Sequence, residues 1–174
     1  MKLLKSKYHT QGWIDLRGVK YQLRQLPIED IWPSVEKAEV HRGVRFYDLI
    51  KKDISKNGLH FPLLVVKATR KEILFQKNSW KHKILKPPFP AKEVEVEYKE
   101  QSGSNAPTLK KLEWVLEDES TADQKHFVCW GGSQRVRIAK DLGYTHIDCA
   151  MMPKFKVAHQ LQRVLRNPYG QYYK

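Results

Sequence analysis

The chain has 174 residues, 41% of them hydrophobic, with five Trp, eight Tyr and six Phe; that length and apolar content suit one folded domain and argue against a disordered chain. Lys and Arg number 32 against 19 acidic residues, a net charge of +13, which favours an anionic partner such as nucleic acid, a nucleotide or an acidic surface. No apolar run approaches the roughly 20 residues that span a membrane, the start Met1–Lys5 is too poor in apolar residues for a signal peptide, and two cysteines build no disulfide framework, so a cytoplasmic protein with reduced thiols and no membrane partner is expected.

Residues 1–12 read as a loose basic arm. Trp13 to Leu26 alternates weakly around Gly18, as two short strands or a hairpin would. Pro27 to Ser34 carries two prolines and reads as a connector, and Val35 to Val44 as a loop or short helix. Phe46 to Lys56 is the first clear helix, with Tyr47, Ile50 and Ile54 on one face and Asn57-Gly58 ending it. Phe61 to Lys67 is continuously apolar, which predicts a strand buried on both faces. Residues 68–125 change texture: lysine is frequent, Pro87, Pro88 and Pro90 break regularity, and Gln101 to Thr108 reads as a turn. Val94 to Tyr98 alternates as a half-exposed strand and Leu112 to Leu116 is its expected partner, so the stretch reads as a β-rich insertion into a domain whose core covers about 13–67 and 126–166. Phe127 to Trp130 predicts a strand, Gly131-Gly132 a tight turn, and Ser133 to Leu142 a helix with Val136, Ala139 and Leu142 buried. A strand over Ile147 to Met151 in the same sheet and a helix over Lys156 to Arg166 complete an α/β (α+β) fold, a small mixed sheet flanked by helices.

The strand, Gly-Gly, helix sequence is where chemistry is expected. Free N–H groups at a helix start point outward, and the helix dipole favours negative charge there. Gly131 and Gly132 permit close approach of a phosphate, Ser133 offers a cap or a hydroxyl, and Arg135 and Arg137 supply charge within one turn. Arg135 is expected to face solvent and grip phosphate with two donors. The segment is not a Walker A loop, because it lacks the four-residue span and the Lys-Ser/Thr ending. An ordinary capped helix after a turn would look the same.

Gly58-Leu59-His60-Phe61-Pro62-Leu63-Leu64-Val65, followed by Gly132-Ser133-Gln134-Arg135-Val136-Arg137-Ile138-Ala139-Lys140-Asp141-Leu142-Gly143, resembles the ParB/sulfiredoxin superfamily. Its members have a helix ending in Gly-x-x-x-Pro-[Ile/Leu]-x-Val, then a strand and a Gly-x-x-Arg loop opening a helix. Ile31-Trp32-Pro33 resembles the Ile-x-Pro that follows their first strand, and the match covers about 20–67 and 127–152. The resemblance implies a single ParB/sulfiredoxin-like domain with a nucleotide pocket, in which Gly132, Ser133, Gln134 and Arg135, beside Gly131, hold the phosphates of a nucleoside triphosphate, CTP or ATP, with Mg²⁺. It aligns Arg42 or Arg45, just before the first helix, with the family's arginine-bearing segment. Sulfiredoxins place a reactive cysteine where this chain has Ser133, so their chemistry is not expected. ParB partition proteins add an Asn-bearing helical motif, a helix-turn-helix and a dimerisation tail that these 174 residues do not show, so a partition clamp is not expected.

The leading expectation is thus a ParB-like nucleotide-binding domain acting on or near DNA through non-specific phosphate contacts, with NTP hydrolysis as its candidate activity and no catalytic residue assigned. The alternatives are a DNA-binding or interaction module without catalysis, a ParB-like nuclease, and an ATP-dependent small-molecule phosphotransferase. His126-x-x-Cys129 with His146-x-x-Cys149 has the spacing of a zinc site, but i and i+3 on a strand point to opposite faces, so no metal is expected. Trp80, Trp114 and Trp130 are candidates for base stacking but suit packing better, and Glu36, Glu39, His41 and Asp48 are polar groups near the first helix that a nucleotide could meet.

Overall fold

The computed structural model describes residues 1–34, 44–79, 85–100, 103 and 105–162. The chain divides into two compact units, residues 1–68 with 126–174 and residues 69–125.

The first unit is built on a seven-stranded mixed sheet in the order β2 (Trp13–Leu16), β3 (Val19–Pro27), β9 (His146–Met152), β5 (Leu63–Thr69), β8 (Lys125–Gly131), β4 (Ile31–Trp32), with β1 (Leu3–Leu4) alongside β9. β2 and β3 form the expected hairpin, β3 runs antiparallel to β9, and β5 runs parallel to it. The fold is therefore of the mixed α/β class. Leu63, Leu64, Val65 and Val66 are all buried, because β5 is covered on both faces.

Alternation along the strands sorts side chains between the two faces. On one face Leu26, Ile147, Cys149, Leu63, Val65 and Cys129 meet α1 (Val44–Asn57) through Ile50 and Ile54, and α3 (Ser133–Asp141) through Val136 and Ala139. Tyr47 completes the predicted face of α1 and donates its hydroxyl proton to Asp141 of α3. The opposite face carries Ala150, Met152, Leu64, Val66, Val128 and Trp130. A helix over 155–162 supplies buried Phe155, Ala158 and Leu161, and Phe155 packs on Trp130 with ring centroids 5.0 Å apart. Val136 and Ala139 are fully buried as expected, whereas Leu142, just past the helix, is half-buried against the core. Gly58 ends α1 at φ +71°, a conformation that β-carbon-bearing residues rarely adopt.

One expectation needs correction and one an addition. The N-terminal segment is not a loose arm. Leu3–Leu4 pairs parallel to β9, Lys7 donates its N–H to the Leu59 carbonyl, and Ser6 and His9 bind the fully buried carboxylate of Asp148. Gln25 donates to the same carboxylate at 2.8 Å, so three chain segments converge on one buried charge.

The second unit is not only β. It holds α2 (Arg70–Ser79), which the sequence reading left out, beside the two-stranded sheet β6 (Ala91–Tyr98) and β7 (Leu109–Leu116). Thr69 and Glu72 cap α2 reciprocally: the Glu72 carboxylate accepts from the Thr69 N–H, and the Thr69 hydroxyl accepts from the Glu72 N–H. Asn78 ties the helix to β7, accepting from the Trp114 N–H at 2.6 Å and donating to its carbonyl at 3.0 Å.

Candidate functional site

β8 ends at Gly131, and Gly132 turns the chain with φ 119° and ψ 25° into α3. The first helical bond runs from the Val136 N–H to the Gly132 carbonyl, so the N–H groups of Ser133, Gln134 and Arg135 have no partner inside the helix. No side chain caps this start. A β-carbon on Gly132 would lie 2.6 Å from Cδ2 of Leu63 and 2.7 Å from Nη2 of Arg135, so glycine is required by both space and backbone conformation.

The side chains of the loop are turned inward. The Ser133 hydroxyl, buried, donates to the carbonyl of Pro33, and the Ser34 hydroxyl donates to the carbonyl of Cys129 at 2.5 Å. The segment after β4 is thereby strapped to the loop, a tie the sequence reading missed although Ile31-Trp32-Pro33 marked the place. Arg135 departs from the expectation of a solvent-facing side chain. It is 9% exposed, and its guanidinium donates to the Phe61 carbonyl at 2.6 Å and the Pro62 carbonyl at 3.5 Å, the two residues that lead into β5. A planar cation on main-chain carbonyls is a packing device that fastens the start of β5 to the start of α3.

Two donors on either side of the turn remain. Nε1 of Trp130, immediately before Gly131, and Nε2 of Gln134, in the first turn of α3, are buried and make no hydrogen bond. Buried donors are nearly always satisfied, and those that are not call for an explanation. Trp130 sits on the sheet face away from α3, so Gln134 Nε2 is the one that joins the main-chain N–H groups of Ser133 and Gln134 at the uncapped start of the helix.

Cys129 lies under this loop. Burial pushes its thiol up to about 12, against the opposing pull of Arg135, Arg137 and the Ser133 hydroxyl. Burial likewise raises Cys149 well above its usual range. Both stay protonated at neutral pH, so neither is a nucleophile or a reactive redox group. His126 is half-buried, and His146 shares a hydrogen bond with the Thr145 hydroxyl. Among the described residues no three His, Cys, Asp or Glu side chains are grouped to hold a metal ion.

Of the remaining candidates, Arg42, Glu36, Glu39, His41 and Trp80 lie outside the described residues. Arg45 is the second residue of α1 rather than a residue ahead of it, and its side chain is outside the described atoms. Asp48 is exposed on α1. Trp130 is buried against Phe155, and Trp114 is half-buried with the Lys77 ammonium 5.7 Å from the centre of its ring.

The chain matches no family model, no curated protein and no solved structure. No helix among the described residues is long and apolar enough to cross a membrane.

Proposed function

We propose that the Gly131–Arg135 loop binds the phosphates of a nucleotide, in a ParB-like domain that acts near nucleic acid. The observation that carries this reading is the uncapped start of α3, with a buried donor without an acceptor, Gln134 Nε2, in its first turn. The grip comes from the main chain: the N–H groups of Ser133 and Gln134 meet phosphate oxygens, and Gly132 makes the turn that presents them while Leu63 and Arg135 pack against it. Arg135 has a different task from the one its motif implies. It holds the loop from beneath through the Phe61 and Pro62 carbonyls and adds positive potential rather than a direct contact. The net charge of +13 supports an anionic partner in the same way. Phosphate binding is the part of the reading that the geometry supports, and hydrolysis has no assigned residue.

A thermal-shift screen with CTP, ATP, GTP, UTP, ADP and pyrophosphate, each with and without Mg²⁺, tests this. A ligand present at 100 times its Kd stabilises by about 2.7 kcal/mol, a rise in Tm of roughly 5–10 °C for a protein of this size. Gln134→Ala should reduce the shift by removing one buried donor. No shift with any nucleotide or with millimolar pyrophosphate would end the proposal.

A further inference from the structure

Among the described residues, the sheet face that carries α1 and α3 is not covered along its whole length. Towards β2 and the far ends of β5 and β8 it presents Trp13 and Asp15 of β2, Lys20, Gln22 and Arg24 of β3, Met151 of β9, Lys67 of β5 and Phe127 of β8. Register places them together: Trp13 pairs with Gln22, Asp15 with Lys20, Arg24 with Cys149, and Val65, two residues before Lys67, with Met151. Trp13 is 37% exposed, Lys20, Arg24 and Lys67 are exposed, and Phe127 and Met151 are half-buried.

Each ring on this face lies under cations. The Lys20 ammonium is 4.4 Å from the centre of the Trp13 ring. The Arg24 guanidinium and the Lys67 ammonium are both 5.6 Å from the centre of the Phe127 ring. Among the described residues no carboxylate is within ion-pair distance of Lys20, Arg24 or Lys67. Asp15, the acidic group on this face, has its carboxylate engaged by the Gly18 N–H at 2.9 Å. Two cations held over one aromatic ring without a counter-ion among the described residues repel each other, and the arrangement calls for an anion between them. From β2 to β8 there are four strand steps, which at about 4.8 Å each separate the two rings by on the order of 19 Å.

We propose that this open face binds single-stranded nucleic acid, with phosphates drawing Lys20, Arg24 and Lys67 off the rings and bases stacking on Trp13 and Phe127. Cations beside an exposed ring, Trp13, and a half-exposed one, Phe127, on a sheet are what an unpaired strand recognises, because its phosphates are evenly spaced and its base faces are free. A duplex hides its base faces in the stack and offers the sheet only phosphates. An acidic peptide would satisfy the cations but leave the rings without a partner. The inference does not rest on the phosphate loop, since the two use different residues.

The test is fluorescence anisotropy of the full chain with labelled dT20, U20, a 20-base-pair duplex and poly-aspartate. The expected result is binding of dT20 or U20 at least tenfold tighter than of the duplex or poly-aspartate, and the two single-stranded arms separate DNA from RNA. Trp13→Ala and Phe127→Leu should each weaken single-strand binding about 5- to 150-fold, the range of one lost base stack. The double change Arg24→Gln and Lys67→Gln should flatten the slope of log affinity against log salt by about 1.4, the value for two phosphate contacts on a single strand. Trp13→Ala alters an exposed side chain, so the folded state should be kept, and its nucleotide thermal shift should match wild type; that separates this proposal from the loop reading. Equal or tighter binding of the duplex or poly-aspartate would overturn it, as would unchanged dT20 and U20 affinity in folded Trp13→Ala and Phe127→Leu proteins.

Discussion

The unit formed by residues 1–68 and 126–174 buries charges that each gather several hydrogen bonds, whereas the unit formed by residues 69–125 keeps its ion pairs on the surface and buries a lysine, Lys77, over the Trp114 ring. In the first, Asp148 is fully buried and collects the Ser6 N–H and hydroxyl, His9 and Gln25, while Arg135 is buried on the Phe61 and Pro62 carbonyls. Each buried charge fastens a stretch of chain remote in sequence. In the second, Lys110 pairs with Glu95 and Lys111 with Glu113 on the exposed hairpin, and the inward tie is a neutral one, Asn78 on the Trp114 main chain. A buried charge whose partners are all present holds the fold strongly and is costly to break, while a surface pair holds little.

The largest effect expected from this contrast is at Asp148. Asp148→Ala leaves four donors on two segments without their acceptor and should cost about 3–5 kcal/mol, as for removal of one partner of a buried charged cluster. Urea denaturation measures it, and protease sensitivity of residues 1–9 should rise in parallel as the N-terminal strand loses its tie. A loss below about 1 kcal/mol would show that the cluster is not what holds the N-terminal segment.

Arg135→Ala should come next, at about 2–3 kcal/mol, since hydrogen bonds from a charged donor are worth about 1.5–3 kcal/mol and the packed stem is lost as well. Its effect on nucleotide binding by the folded protein should be small if the main chain makes the grip. A loss of nucleotide affinity of about 10- to 150-fold with unchanged stability would instead restore a direct Arg–phosphate contact. Measuring Tm and affinity on one preparation decides between the two tasks.

In the second unit, Asn78→Ala should cost about 1–2 kcal/mol, because it strands a partly buried main-chain N–H and carbonyl of Trp114. Hydrogen exchange localises the effect: amides of the hairpin should exchange faster, while those of β9 and β5 should not.

How far each region could be read from the sequence follows from how local its signals are. The strand, Gly131-Gly132, helix unit and the apolar run Leu63–Val66 were legible because turn chemistry and burial on both faces are written in consecutive residues. The pairing of Val94–Tyr98 with Leu112–Leu116 was legible from alternation. What escaped depended on distant partners. Nothing near Arg135 announces that its acceptors are the carbonyls of Phe61 and Pro62, more than seventy residues away. Nothing near Ser6 or His9 points to Asp148. α2 is a different miss, since its signal was local: Thr69-Arg70-Lys71-Glu72 is a capping box. The helix behind it buries Ile73, Leu74 and Lys77, and a lysine in the third apolar position blurs the periodic pattern that would have marked it. The three tryptophans first weighed for stacking left out Trp13, the one the sheet presents to solvent.

The smallest expected effect sharpens the contrast from the other side. Lys110 and Glu95 form a 3.2 Å ion pair with side chains 63% and 59% exposed. Lys110 sits directly opposite Glu97 in the register, so its bond to Glu95 is diagonal across the hairpin. Water and salt screen such a pair, and ordering two long side chains offsets what attraction remains. A double-mutant cycle on Lys110→Ala and Glu95→Ala should therefore give a coupling energy of about 0.5 kcal/mol or less, falling further in 0.5 M NaCl. The cycle is the right measurement because each single change also alters β-propensity and net charge, and only the cross-term reports the pair. A coupling above about 1 kcal/mol that survives the salt would mean that this hairpin surface is desolvated in solution, and the contrast between hydrogen-bonded charges inside the first unit and ion pairs on the surface of the second would fail at the position where it is most exposed to test.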